Sequence, residues 1–479
     1  MYTNKISGYS AILIFAVLII VSLAVAYLMA TLGTGTAPLI LMGFVAVFAF
    51  TIVVRDYQIG LYMLFLMGVF MFYIDRIVNI TFPLGTVYDG LVALIFLALF
   101  VNNKNKKDWT LFKNPVTVTF LIIIAYQFLQ FFNPNSGSAL AWIVSLRGNI
   151  SFLIYVVCFQ LFTSIKDVKK FTALWLVVAS VVGLYSFYQE FFGLTDFEWT
   201  WMYAKEGRMD LYLIWGKLRK FSFLSDPSSF GIFMAASALG VMPLIMGPFH
   251  PLKRIGFGLL MIMMLVAMSY SGTRTAMAMV IVGIAFFMVL TMLKRETLVG
   301  SVLIVIFGAA MLFGPFYGGT MSRIRSTLNP SKDPSMAVRD IKRVRLQEYI
   351  HAHPIGGGLY TVGTNGEKYA PGHPLAGPWD PDSGYLLIAL ETGWVGLLIF
   401  QALFFITMVK GIQGYFAMED PVLKTYMLVY ITPFLAVSVA HFTQDAMFMK
   451  PVNILVYATY ALVIKIPSFQ KKLSPVELV

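Results

Sequence analysis

The chain has 479 residues, 59% of them hydrophobic and 12% charged, with a mean hydropathy of +0.79. Soluble domains sit nearer half apolar and a quarter charged, so this composition excludes an ordinary soluble enzyme. The formal charge of +12 fits basic loops beside a membrane and not a nucleic-acid surface, and the single cysteine, Cys158, excludes an internal disulfide and a cysteine-based metal cluster.

The apolar residues come in runs. IFAVLIIVSLAVAYLMA and LMGFVAVFAFTIVV, with their flanks, are long enough to cross a hydrocarbon core, which takes about 20 helical residues. The first run lacks a small-residue cleavage site and further spans follow, so it reads as a span and not as a removable signal. In chain order the pattern predicts about fourteen transmembrane helices, near 9–29, 37–54, 58–74, 88–101, 116–132, 148–163, 171–191, 229–247, 255–271, 274–293, 298–316, 384–409, 425–441 and 451–465. With the N-terminus inside, the short loops NNKNKKDW (102–109), KDVKK (166–170), PLKR (251–254), KR (294–295) and the tail KIPSFQKK (465–472) all fall on the cytoplasmic side, and all are basic. Both termini are then cytoplasmic. The expected fold is one all-α polytopic membrane domain, 1–479, with a large extracytoplasmic loop at 317–383 inside it.

Two long polar segments, 193–228 and 317–383, fall outside on this topology. Within the second, PSMAVRDIKRVRLQEYIHAH has the periodicity of an amphipathic helix. Val338, Ile341, Val344, Leu346 and Tyr349 favour one side, while Arg339, Lys342, Arg343 and Arg345 lie mostly elsewhere. Such a helix is expected along the membrane interface, with its basic face toward anionic groups.

Several residues could carry chemistry. Arg274 stands between two apolar runs in SYSGTRTAMAMV, where an arginine either snorkels or meets an anion. Ser271, Thr273 and Thr275 surround it with hydroxyl donors suited to a phosphate. Lys217, Arg219 and Lys220 precede the turn Ser225-Asp226-Pro227, whose aspartate is a plausible helix N-cap. Arg147 lies at the outer start of another span. Each basic group reads either as a headgroup anchor or as part of a diphosphate site, to which converging guanidiniums are suited. In HPIGGGLYTVG the glycines allow positive φ and close approach of the backbone to a ligand, but no P-loop follows. His351, His353 and His373 lack the spacing of a metal site, so no metal and no cofactor is expected. Asp382 precedes a span and reads as a base or as an N-cap, with Ser383 the competing cap. Glu391 lies too deep for a cap and is expected to hydrogen-bond within the bundle.

These residues together resemble the superfamily of O-antigen ligases and Wzy-type O-antigen or exopolysaccharide polymerases. HPIGGGLY is similar to its His-Pro-apolar-x-Gly-x-Gly signature. The ligases then carry His, Asn/Ser/Gln, nine residues, Gly, two residues and Gly/Thr/Tyr; here the spacing reads Asp382, Ser383, nine residues, Gly393, Trp394, Val395, Gly396. SGTR (271–274) resembles a Ser-Gly-Ser-Arg segment, and LRKFSFLSDPSSFG (218–231) resembles a segment of Arg, Gly-Thr-Phe and Asp-Pro-Asn. The likeness covers roughly residues 145–410. It implies a GT-C-like glycosyltransferase that takes a polyprenyl-diphosphate-linked glycan at the outer face of the plasma (inner) membrane without a metal. Chain-length regulators or export proteins are its candidate partners beside membrane lipids. Arg219 and Arg274 match the diphosphate-holding positions. Asp382 replaces the ligase histidine, which favours a polymerase, and it stands as the expected base. Arg147, Lys217, Lys220, Arg339, Arg345, His353 and His373 are the expected substrate contacts. A ligase acting on another acceptor and a polysaccharide flippase are the alternatives. A flippase is expected to show paired halves with broken helices near the midplane.

Overall fold

The computed structural model describes residues 27, 50–78, 84–101, 107–214, 216–292, 344 and 346–470. Among them, eleven helices are long and apolar enough to cross a membrane. Each coincides with an expected span. Most of the spans expected at 9–29 and 37–54, and all of the one expected at 298–316, lie outside the described residues, as do Arg339 and Arg345.

The α-helices in chain order are α1 (Tyr57–Val78), α2 (Leu84–Val101), α3 (Pro115–Leu129), α4 (Ala139–Ser145), α5 (Ile150–Leu161), α6 (Ile165–Phe191), α7 (Asp196–Tyr203), α8 (Arg208–Tyr212), α9 (Pro227–Ile245), α10 (Pro251–Tyr270), α11 (Arg274–Thr291), α12 (Gly363–Tyr369), α13 (Gly384–Ala417), α14 (Pro421–Ala440) and α15 (Val452–Gln470). A one-turn 3₁₀ segment joins α4 to α5 as one span. A two-residue hairpin, β1 (Leu213–Ile214) and β2 (Lys217–Leu218), follows α8.

The helix starts obey local chemistry. Asn114, Asp226 and Asp420 each cap a helix whose first residue is proline, a residue that has no N–H to leave unbonded. The Asp226 cap is the one expected from sequence. Helices α9, α14 and α15 form the centre, with 89%, 78% and 83% of their apolar stretches buried, whereas α10 has 17%. Small residues let the centre close. Trp175 of α6 lies over Gly240, where a Cβ would come within 2.4 Å of its ring, and donates its indole N–H to Ser237 Oγ at 2.9 Å. Cys158 is buried within α5, as its apolar neighbours require.

The loops segregate to two ends. At one end Lys465 pairs with Asp108 at 2.8 Å, the Asp108 N–H reaches Gln160, and the Glu419 N–H reaches Gln470. At the other end meet the segments 133–138, 192–226, 271–273, 346–383 and 441–451. Ser138 donates to the Tyr369 carbonyl, the Lys220 N–H to that of Tyr270, and the Gly384 N–H to that of His441. Alternating spans require this division. The polar end is therefore a single surface built from segments far apart in sequence. Of the expected amphipathic helix, the described part packs Leu346, Tyr349 and Ile350 against Val362, Leu375 and Leu390, so protein covers that face; Val344 remains 62% exposed.

Candidate active site

The first part of the site is built around the start of α9. The Asp226 carboxylate caps α9 through the N–H groups of Ser228 and Ser229 and accepts the hydroxyls of Ser225 and Ser229. Arg219, just after β2, crosses to the turn between α10 and α11. Its Nε donates to the Ser271 carbonyl at 2.8 Å, and its Nη2 to Thr273 Oγ1 at 3.0 Å and Ser228 Oγ at 3.4 Å. Thr273 Oγ1 in turn donates to the Pro227 carbonyl. Arg274 is the first residue of α11, immediately after this hub. The structure thus brings Arg219 and Arg274 to one corner, and both side chains are half-buried. Gly231 permits the corner to form, since a Cβ there would come within 2.4 Å of Ser271 Oγ. Lys220 points elsewhere: it is buried and paired with Glu190 at 3.3 Å. Lys217 stays exposed on β2.

Behind this corner lies Arg76, near the end of α1. It is buried and donates to the carbonyls of Ser222 and Leu224, with the faces of Phe221 and Trp201 against its guanidinium. The sequence reading missed it. The signal was the one that picked out Arg274: an arginine at the end of an apolar run.

The second part is the glycine-rich segment, and here the expected role changes. The backbone of HPIGGG closely approaches α13 itself. Helix α13 is broken at Gly393, at φ 69° and ψ 178°, a region open essentially to glycine alone. The break strands carbonyls inside the protein. The Gly357 N–H bonds the Leu390 carbonyl at 2.8 Å, the Gly358 N–H that of Glu391 at 2.9 Å, and the Tyr126 hydroxyl that of Thr392 at 2.8 Å. Asn133 and Asn135 hold the Gly356 carbonyl from the far side. Glu391 accepts the Tyr360 N–H at 3.0 Å, so its partner is this loop. The two glycine motifs, far apart in sequence, are two halves of one joint.

The histidines brace the joint. His353 stacks on Tyr349 at 4.0 Å, with Nδ1 on the Tyr349 carbonyl. His373 accepts the Leu375 N–H at Nδ1, which leaves Nε2 to donate to the Asn135 carbonyl at 3.1 Å. Burial holds His373 below the usual imidazole pKa. At the start of α13 the cap is Ser383, whose Oγ accepts the Leu386 N–H. Asp382 precedes the cap and is exposed.

The third part, the turn 441–451, was not singled out from sequence. Thr443 Oγ1 meets Thr275 Oγ1 at 2.8 Å, which places the turn beside Arg274, and Met449 touches Ser229 below Asp226. On its other flank Lys450 lies 4.2 Å over the Tyr88 ring, close to Arg147, which pairs with Asp89. Arg147 therefore belongs to the far flank of the turn, with Lys450, and not to the Arg219 corner. His441 is fully buried against Gly384, whose missing Cβ makes room for its ring. Its Nδ1 accepts the Met447 N–H, and burial pushes its pKa down to about 3, so the ring is neutral. Asp445 follows, with Oδ1 buried and no hydrogen bond among the described residues. Below the turn, an apolar cavity of about 410 Å³ runs between α11, α13 and α14. Thr275, Tyr385, Phe404, Leu435 and Thr443 are among its lining residues, and the two threonines that bound it stand next to Arg274.

The fold and this arrangement define an all-α polytopic membrane protein with a cationic corner at one end, above an apolar cavity. Residues 259–401 match the family model described as O-antigen ligase. That segment carries Arg274, the glycine joint and Asp382. Arg219, Arg147 and the turn 441–451 lie outside it. No curated protein matches the chain. The family match supports a glycan-transferring function of ligase or polymerase type in general, acting on a lipid-linked glycan.

Proposed function

We propose that the protein is a glycan polymerase that joins polyprenyl-diphosphate-linked oligosaccharide units at the outer face of the plasma membrane. In this reading both termini are cytoplasmic and the reaction is inverting and metal-independent. The observation that carries it is the apolar cavity ending at Thr275 and Thr443, directly beside Arg274 and the Arg219 hub. A lipid diphosphate has the same two halves, an apolar chain and an anionic head.

The chemistry follows. An acceptor hydroxyl attacks the anomeric carbon as the bond to the diphosphate oxygen breaks. Negative charge grows on the leaving diphosphate, and Arg219 and Arg274 stabilise it. The hydroxyl proton passes to a base on the opposite face, for which Asp382 is the candidate from sequence. Its exposure fits a group that meets an acceptor arriving from water. In this reading Lys217 and the Arg147–Lys450 flank meet the glycan and any acidic substituents, with His353 and His373 shaping the loop beside them. Replacing the metal by two guanidiniums requires their fixed geometry. Arg274→Ala and Arg219→Ala are expected to lower turnover roughly 30- to 1000-fold, the effect of losing one charge-assisted contact made in the transition state. Arg274→Lys is expected to be impaired as well, because it lacks the planar fork. The test is turnover of a purified lipid-diphosphate oligosaccharide, read as products on a gel. Full turnover in both alanine variants overturns the assignment.

A further inference from the structure

We infer that Asp445, in the turn between α14 and α15, is the carboxylate that takes the acceptor proton in glycan transfer. The inference rests on the glycan-transfer reading above and moves the base from Asp382 to a residue of the turn.

The first observation is that the Asp445 side chain has no structural duty. Its backbone carbonyl closes the turn by accepting the N–H groups of Phe448 and Met449. Its carboxylate caps no helix, and Oδ1 is buried without a hydrogen bond among the described residues. A buried oxygen left unsatisfied is costly and calls for an explanation in function. The side chain as a whole is 46% exposed, so the group reaches both protein interior and solvent.

The second observation is position. Thr443, two residues earlier, bonds Thr275 beside Arg274, and Met449 touches Ser229 beneath Asp226. Lys450 opens onto the Arg147–Asp89 flank. The turn thus separates the corner proposed for the leaving diphosphate from a second cationic flank open to an acceptor. Asp445 belongs to the segment that links these two cationic groups. Asp382 stands outside, at the exposed edge of the neighbouring helix.

The third observation concerns its neighbours. His441 Nδ1 is 3.7 Å from Asp445 Oδ1, yet that nitrogen already accepts the Met447 N–H. The ring is neutral and supplies no counter-charge. Glu391 of α13 and Tyr457 of α15 also face Asp445, and neither is a cation. Burial of Oδ1, without a cationic partner, raises the Asp445 carboxyl to about 7. A base poised near the working pH is the most effective kind.

The step balances. The acceptor oxygen forms the new bond to the anomeric carbon, whose bond to the diphosphate breaks with its electron pair. The acceptor proton moves to the Asp445 carboxylate, which later returns it to water.

The test uses the full-length protein in lipid nanodiscs with a lipid-diphosphate oligosaccharide. Turnover is followed from pH 5.5 to 8.5 and donor binding is measured separately. The wild-type rate is expected to rise with pH through about 7, as Asp445 loses its proton. Asp445→Asn is expected to lose about 100-fold or more in turnover, keep donor binding and show no such rise. Asp445→Glu, which restores a carboxylate, is expected to recover part of the rate and shows that the site folds. Asp382→Asn is expected to retain the rise through pH 7. An Asp445→Asn variant that turns over normally, or an Asp382→Asn variant whose profile goes flat, overturns the inference. If Arg274→Ala is still inactive in that case, the glycan-transfer reading survives. A wild-type protein that transfers no glycan overturns that reading itself.

Discussion

The loop 353–383 and the turn 441–451 meet at the same end of the molecule and make opposite use of polar residues. The loop holds the glycines, histidines and acids that draw attention in the sequence, and the structure spends most of them on architecture. Gly357 and Gly358 fill the break in α13, His353 and His373 tie the loop to the carbonyls of Tyr349 and Asn135, and Asp380 holds Thr364. The turn looks like a plain connection between two spans, yet His441 Nε2, Gln444 Oε1 and Asp445 Oδ1 are all buried there without hydrogen bonds among the described residues. A group that the fold has bonded is held still. A group that the fold has left unbonded, at a cost, remains available for chemistry.

The largest expected effect tests whether the loop is architecture. Gly393→Ala forces an alanine into a glycine-only conformation with its Cβ about 1.9 Å from the Pro354 carbonyl oxygen. It should cost more than about 3 kcal/mol and abolish a monodisperse peak in size-exclusion chromatography after mild heating. Gly372→Ala, in open space in the same loop, should cost under about 1 kcal/mol. Equal behaviour of the two would break the joint between loop and helix.

A smaller effect separates the two candidates for the α13 cap. Ser383→Ala removes the hydroxyl that accepts the Leu386 N–H and should lower stability by about 1 kcal/mol. Asp382→Asn should leave the melting temperature unchanged, since Ser383 is the cap. A fall in melting temperature with Asp382→Asn alone would return the capping role to the aspartate.

The smallest effect is a pH dependence. The folded-state pKa of His373 lies below its ordinary 6.5. Its contribution to stability is therefore complete above about 6.5 and is lost as pH falls, because the unfolded chain takes up the proton more readily. Melting temperature should drop between pH 7.5 and pH 5, and the drop should shrink in His373→Gln. A His373→Gln variant with an undiminished drop would assign the pH dependence to another group.

Much of this architecture was legible in the sequence because hydropathy is a local property. Eleven expected spans are helices, and the loops gather at two opposite ends. The Asp226 cap also stands where Ser-Asp-Pro placed it. The partners of each polar group were less legible, because they arrive from distant parts of the chain. Arg76 bonds carbonyls 146 and 148 residues away, and Gly358 answers a carbonyl of α13. The glycines of HPIGGG allow positive φ, which Gly356 and Gly358 adopt, but its purpose depends on a break in α13 that an unbroken apolar run conceals. Asp445 carried the signal of an ionisable residue between two spans, and its lack of a partner becomes visible only once the bundle is packed.

The most direct measurement of the central claim is an incubation of the purified protein with a lipid-diphosphate oligosaccharide and no other enzyme, in buffer without added divalent metal. The account predicts a ladder of products, each longer by one repeat, and its loss in Arg274→Ala. A substrate that stays a single repeat with the wild-type protein, or a ladder that persists unchanged in Arg274→Ala, would contradict it.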